Sequence, residues 1–329
     1  MTSPLDAAAH QFVRTARDVL RADPSATALT TLDWWSLLDQ LDDREARVAA
    51  FALFRAHGRE LATTPALGAL VAAPYLAALG AEAGSAVAAI SSAALHGPAS
   101  DGALLVVGDV SGRRLLVDRP SSGVSIVEPE DAILHPLDLP GRLQLAVLDT
   151  RSRGVAVDPA DLALVRRRST ALGRIALADE MLGAAEGAVA LAVAYAGVRE
   201  QFGEPIGRFQ AVRHLLAWAH TDCVAIAAVV RRAVLLGDAG DEIDTGSDSV
   251  IAKALAGRNG RVACERAMQV LGGIAFTAEH DHHHHHSRVL ALDGLLGTSA
   301  DLTLQLGGWL RSAGNAADHT RRALAVTAW

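Results

Sequence analysis

The sequence predicts a mostly α fold in three parts: an N-terminal helical domain over residues 1–95, a reduced β domain over 96–157, and a C-terminal four-helix bundle over 158–329. Three observations carry this. The apolar half of the 329 residues is dominated by Ala, Leu and Val, with aromatics at only 4%, and alanine is the best helix former. Apolar residues recur at helical spacing in both outer segments. Between them, after His96-Gly97-Pro98, the pattern changes to short apolar runs punctuated by turn residues.

In order along the chain, Trp34, Leu37, Leu38 and Leu41, then Val48, Phe51 and Phe54, mark amphipathic helices. The Ala-rich stretch from Thr64 to Leu95, broken by Pro65, Pro74 and Gly84, reads as short packed helices. ALLVVGDV and RRLLVDR around Ser111-Gly112 read as a hairpin, VSIVEP and LQLAVLDT as further strands, and the β segment ends near Gly154. A helix starts near Asp161. Its Ile175, Leu182 and Val189 repeat at sevens, with Ala178, Ala185 and Ala192 three residues after each, a seam suited to close antiparallel packing. Gly203, Pro205 and Gly207 end it. Further helices are expected from Phe209 to Leu236, Val250 to Leu271 and Ser299 to Arg311, with the acidic stretch 237–249 as a solvated loop.

Composition narrows the function. The net charge is −7 and no basic block is long enough to track a phosphate backbone, which argues against nucleic acid as a partner. Cys223 and Cys264 lack CxxC spacing, and the first twenty residues have no continuous apolar stretch, so a reduced, cytoplasmic chain is expected. No run of 18 residues is free of charges and breakers, so no membrane span is expected.

Three segments carry chemistry: VREQFGEPIGRFQAVRHLLA (198–217), QVLGGIAFTAEHD (269–281) and LLGTSA (295–300). In order and spacing they resemble the acyl-CoA dehydrogenase motifs R-x-Q-F-G-x-x-I-x-x-F-Q, Q-x-x-G-G-x-G-F-T-x-E and E-G-T-S. Over residues 1–95 the resemblance is weaker, carried by helix content and the stretch 58–63, and the β segment matches poorly. The resemblance implies FAD as cofactor and an acyl-CoA thioester as substrate. It places Arg199, Phe202, Gln210, Gln269, Gly272, Gly273 and Thr298 on the FAD, reaching across a dimer interface to the neighbouring subunit's cofactor. The residue types suit that task. Arg199 offers a planar, always-charged fork for a diphosphate, and Phe202 can pack an adenine face. Gln210 and Gln269 can read polar edges, and Gly272 and Gly273 let backbone N–H groups approach a phosphate.

The departures are as informative. The family reaction needs a Glu to remove the α-proton of the thioester while the flavin takes the β-hydride. Its usual place before Gly-Thr-Ser holds Leu296, and its alternative place on the preceding long helix holds Gly173. The chain has no tryptophan between Trp35 and Trp218, and Glu128-Pro129 is followed by EDAILH without the family's Gly-Ser, so the flavin-ring half of the site is expected to be missing. Catalytic residues are therefore assigned to none of its positions. The resemblance then implies the base-less subunit of a hetero-oligomer, whose partner is a related subunit carrying the base. An active homo-oligomer with an unrecognised base and a non-enzymatic scaffold are the alternatives. His280 and His282–His286 are set aside as metal ligands because successive residues on a helix diverge. Asp179 and Glu186 are expected to be solvated or interface carboxylates, and Arg166–Arg168 a solvated helix start.

Overall fold

A computed structural model describes residues 4–92, 103–119, 122–235 and 245–311. Helices α1 Pro4–Ala22, α2 Thr27–Thr31, α3 Trp34–Asp39, α4 Arg44–Glu60 and α5 Ala66–Ala78 come first. Eight strands follow: β1 Ala86–Ala88, β2 Ile90–Ser91, β3 Leu104–Val107, β4 Arg114–Arg119, β5 Gly123–Val127, β6 Leu134–Leu137, β7 Leu145–Leu148 and β8 Val155–Val157. The remaining helices are α6 Leu162–Val198, α7 Gln210–Leu235, α8 Thr245–Leu271, α9 His282–Asp293 and α10 Ser299–Arg311, with β9 Glu200–Gln201 and β10 Glu204–Pro205 between α6 and α7. The mostly α class and the order helical, β, helical agree with the sequence.

The long helix α6 is the axis of the molecule. Its seam Ile175, Leu182, Val189, Ala178, Ala185 and Ala192 is buried throughout. Helix α4, capped by Asp43 accepting the Ala46 N–H at 2.9 Å, crosses it at backbone contact. A Cβ on Gly58 would overlap the Glu180 carbonyl, and a Cβ on Gly183 would overlap that of Arg55. The crossing is closed by a buried polar network. Arg288 of α9 donates through Nε and Nη2 to Glu180 Oε1 at 2.9 and 2.6 Å, and through Nη2 to the Ala62 carbonyl at 2.5 Å. Thr64 N–H donates to His57 Nε2 at 3.2 Å, which leaves Nδ1 to carry the proton towards Glu180 Oε1, also at 3.2 Å. Burial opposes ionisation of Glu180, but Arg288 and His57 prevail and hold its carboxyl down at about 2.

Four sequence expectations change. The strands begin at Ala86, inside the stretch read as helical to Leu95; β1 is buried throughout and β2 is only two residues long, too little for a polar alternation to betray them. The expected hairpin is absent. β3 pairs with β2 and β7, whereas β4 pairs with β1 and β5, giving two sheets ordered β1-β4-β5-β8 and β2-β3-β7-β6. Gly108, at φ +84, turns the chain away after β3, packed against the Thr64 carbonyl where a side chain has no room. Helix α8 begins at Thr245, within the stretch taken as loop. Finally, α9 packs on α6 and α8, whereas α10 packs chiefly on α8, through Val250, Ala254 and Leu302. The helix read as fourth in the bundle is thus an outer one, and the histidine-rich segment takes its place.

The β segment is tied to the helices through Asp118 of β4, which accepts from Tyr75 OH at 2.8 Å and from Arg166 Nε and Nη2 at 2.7 and 2.6 Å. Arg166 and Arg168, which pairs with Asp42, are therefore engaged within the chain. Among the described residues, Leu162–Val198 is long and apolar enough to cross a membrane by composition. In this fold it is the core helix, with 56% of its most apolar window buried.

The crossing predicts a sharp asymmetry between glycines. Gly183→Ala should lower stability by about 3 kcal/mol, because two backbones must part to admit one methyl group. Gly197→Ala, whose Cβ would meet nothing within 4 Å, should leave it unchanged or slightly higher. Denaturant unfolding of the two variants checks this, and equal effects would show that α4 and α6 are not in backbone contact.

Candidate functional site

The α6–α7 connection builds an exposed corner. At the end of α6 Arg199 leaves the helix at φ −75° and ψ 118°, its N–H donating to the Tyr195 carbonyl at 2.9 Å. Its own carbonyl accepts from Ile206 N–H at 2.8 Å, which folds the loop back. Phe202 and Gly203 form the tip of the β9–β10 turn, both with positive φ. Phe202 is 95% exposed and meets Phe209 edge to face at 6.1 Å. A large aromatic side chain held out into water in a left-handed backbone is strained and unburied at once, which marks it for a contact outside this chain. The Arg199 guanidinium is also exposed and makes no hydrogen bond or ion pair with the described residues. Gln210 is the first residue of α7 and is exposed.

Helix α8 delivers the second set to the same end of the bundle. Arg266 of α8 pairs with Asp222 of α7, donates to the Trp218 carbonyl at 3.4 Å, and lies over the Trp218 ring at 5.9 Å. Gln269 follows about one turn later and is exposed. The helix ends at Gly272, at φ +67; a Cβ on Gly272 or Gly273 would meet no atom within 4 Å. Six of the seven expected cofactor residues therefore share one exposed end. Sequence reasoning missed its neighbours Trp218 and Phe276, which are 61% and 75% exposed. Phe276 lay within the second motif and was legible; Trp218 gave no motif signal.

Thr298 does not join them. Its Oγ1 accepts the Asp301 N–H at 3.1 Å and donates to Asp301 Oδ2 at 2.7 Å, so the hydroxyl serves as the N-cap of α10. The turn it belongs to packs on α8 at Gly257, where a Cβ would lie 2.8 Å from Ser299 Cβ. Twelve residues of α8 separate Gly257 from Gln269, roughly 18 Å at 1.5 Å per residue.

The two positions at which a family base could stand prove to be neighbours. A Cβ on Gly173 of α6 would lie 2.5 Å from Leu296 Cδ1 and 2.9 Å from Val71 Cγ2. Leu296, at φ +53, is pinned there: its N–H donates to the Ser91 carbonyl at 3.1 Å, and its carbonyl accepts from Arg174 Nε at 2.9 Å. Lys253, fully buried, donates to the Asp293 and Gly297 carbonyls at 2.9 and 3.2 Å, and Asp293 accepts the Ser299 N–H. Burial pushes Lys253 down to about 8 against the pull of Asp293. The place for a base is thus a closed apolar contact on a well-held turn.

Neither carboxylate considered as a substitute faces it. Glu186 accepts from Arg55 Nε at 3.0 Å. Asp179 is buried rather than solvated, and burial pushes its carboxyl up to about 7 although Arg55 opposes the shift. Six residues beyond Gly173, it points about 120° round the helix from it, towards Arg55 of α4. Cys223 and Cys264 are buried free thiols raised by burial, without reactive character.

The described geometry meets its relatives here. Residues 163–310 match the family model of the acyl-CoA dehydrogenase C-terminal domain. The chain is 38% identical over 219 residues to the acyl-CoA dehydrogenase FadE34 of Mycobacterium tuberculosis, a match covering 65% of this chain and 27% of that protein. It is 39% identical over 107 residues to the acyl-CoA dehydrogenase IpdE2 of the same organism, covering 32% of this chain and 31% of that one. The chain thus spans less than a third of the length of these two relatives. In fold it is similar to the Tcur3481–Tcur3483 steroid acyl-CoA dehydrogenase variant, at TM-score 0.70 and 23% identity over 92% of this chain and 98% of that one. It is similar too to the ChsE4–ChsE5 complex of Mycobacterium tuberculosis, at TM-score 0.71 and 20% identity over 95% and 99%. Residues 163–310 thus belong to the acyl-CoA dehydrogenase family, whose cofactor is FAD, and the chain as a whole shares that family's fold.

Asp179 gives a test of the interior. Between its ordinary value of 3.8 and its raised value of about 7, the unfolded chain releases a proton that the folded chain keeps. Stability is therefore lost as pH rises through that window and stays low above it. Asp179→Asn should melt at a higher temperature than the natural chain at pH 8 and show little gain at pH 4. A gain that is the same at both values would place the carboxylate outside the buried interface.

Proposed function

We propose that this chain is the base-less subunit of a cytoplasmic hetero-oligomeric acyl-CoA dehydrogenase, working with a related subunit that carries the catalytic Glu. The reading rests on one observation above all: Gly173 and Leu296, the two places for a base, pack against each other as an apolar contact, while the cofactor residues at the bundle end stand exposed and unpaired. A proton cannot be taken up by leucine or glycine, so abstraction from the thioester falls to another chain.

The residues at that end fit the adenosine-diphosphate half of FAD. Arg199 would hold the diphosphate, Phe202 would lie on the adenine, Gln210 and Gln269 would accept and donate at polar edges, and the Gly272 and Gly273 backbone would approach a phosphate. FAD supplies the acceptor for the substrate's β-hydride. What this chain contributes is binding and orientation of a cofactor shared with its neighbour. The base and the ring-facing contacts come from the partner, which also receives the acyl-CoA. Co-purification from the natural host tests this. The chain should come out with a relative bearing Glu before its Gly-Thr, and the complex should contain FAD. A homogeneous, active homo-oligomer would overturn the assignment, and a flavin-free complex would favour a scaffold.

Substitutions at two positions separate the parts. Leu296→Glu should not create dehydrogenation in the isolated chain. The new carboxylate would be buried against Val71 and Gly173, and a base acts only when its target is held within about 3 to 3.5 Å. Turnover by this single variant would show that the missing residue alone was limiting. Arg199→Ala should weaken FAD retention in the assembled complex by roughly ten- to more than a hundredfold, from the about 1.5 to 3 kcal/mol of a charge-assisted contact. Arg199→Lys should weaken it too, since an ammonium lacks the planar fork. FAD dissociation and melting temperature measured on the same variants discriminate: unchanged affinity with lowered melting would make Arg199 a structural residue.

A further inference from the structure

The consecutive histidines His282–His286 take no part in the cofactor face. Among the described residues, no group of His, Cys, Asp or Glu is arranged to hold a metal ion. Their burial is the informative feature. His282 and His285 are 1% and 6% exposed and share the inner face of α9 with Val289 and Leu292. A Cβ on Gly187 of α6 would lie 2.2 Å from His285 Cε1, so α6 carries glycine where the imidazole needs room. His282 Nε2 lies 2.9 Å from the Cys264 carbonyl of α8 and donates to it. The buried His285 Nδ1, His284 Nδ1 and His286 Nε2 have no hydrogen-bond partner among the described residues.

That seat suits neutral rings and not charged ones. His285 faces Arg59 of α4 and Arg288 and His282 of its own helix, with Asp281 as its acid. His282 faces His280, His283 and His286. His284 faces His283, Arg142 and Asp281, and His286 faces Glu265 and Arg261 of α8. On α6, Glu180 is already taken by Arg288 and by the neutral, buried His57 of α4, and Glu186, beside Gly187, is taken by Arg55 and Arg59. A proton on His285 would therefore be a buried charge beside two arginines, with no free carboxylate against it.

We propose that α9 is an acid-sensitive latch: its inner-face histidines seat it on α6 and α8 only while neutral, and protonation releases the helix together with Arg288 and the Gly297–Thr298 turn that follows. The sign is fixed by linkage. Burial chiefly, helped by Arg288, pushes His285 from its ordinary 6.5 down to about 3. Its stabilisation is complete above 6.5 and falls as pH drops below that value, because the released helix takes up a proton that the seated one cannot. Asp179 acts in the opposite sense, gaining stability on acidification, but it faces α4 rather than α9. One histidine charging only in the released state raises the opening equilibrium about tenfold at pH 5.5 relative to pH 7.5.

Hydrogen–deuterium exchange on the full chain, corrected for the intrinsic pH dependence of amide exchange, tests this. Segment 282–293 should open about tenfold more at pH 5.5 than at pH 7.5, with the centre of α8 changing far less. His285→Gln, which fills the same place without titrating there, should remove that histidine's roughly tenfold share of the acid response. In the natural chain, an NMR titration of the histidine ring signals should leave His285 neutral down to pH 5, a result that does not depend on the variant folding. Opening that is independent of pH, an acid response unaltered by His285→Gln, or a His285 midpoint near 6.5 in the folded chain would each overturn the proposal.

Discussion

Two helices that cross with no side chain between them set the frame for everything else in this molecule. Gly58 and Gly183 bring the backbones of α4 and α6 together, and Glu180 lies at that crossing. There its carboxylate receives Arg288 of α9 while His57 of α4 closes the other side. A fully buried arginine is tolerable only with its acceptors in place, and removing one partner costs more than the pair contributes. The network therefore acts less as a source of stability than as a register mark. It fixes where α9 lies along α6, and through α9 the position of the turn at Leu296.

From that frame the two halves of the site follow. One end of the bundle is free of packing partners among the described residues and displays a cation, aromatic faces and open glycine backbone. The other end is closed, with Leu296 filling the space over Gly173. A carboxylate at either place would need the other to recede. The same rigidity that would hold a base in register in a catalytic subunit here holds a leucine, which is the physical ground for the proposal that a partner supplies the base.

Much of this was legible in the sequence because it rests on local rules. The seam of α6 is a heptad pattern. Arg199, Phe202, Gln210, Gln269, Gly272 and Gly273 fall in two contiguous motifs, and the turn types that expose them are written in Gly203 and Gly272. What could not be read depends on contacts distant in sequence. That Gly173 touches Leu296 is a meeting of residues 123 positions apart. Thr298 resembled a cofactor ligand by motif, yet its hydroxyl is committed to Asp301, a choice between two good hydrogen bonds that spacing does not decide. The strands β1 and β2 are only three and two residues long, so they carry no legible alternation. Helix α9 was missed because its inner face is built partly of histidine, and Asp179 was left as a solvated or interface carboxylate because no sequence rule shows that it is buried beside Arg55 of α4.

The central claim is that this chain completes a flavin site it cannot operate alone. The direct measurement is the FAD content and acyl-CoA oxidation of the homogeneous full-length chain, compared with the same chain combined with a relative bearing the catalytic Glu. The account predicts little bound FAD and no turnover for the chain alone, and both for the combination. Stoichiometric FAD with steady turnover by the chain alone would contradict it.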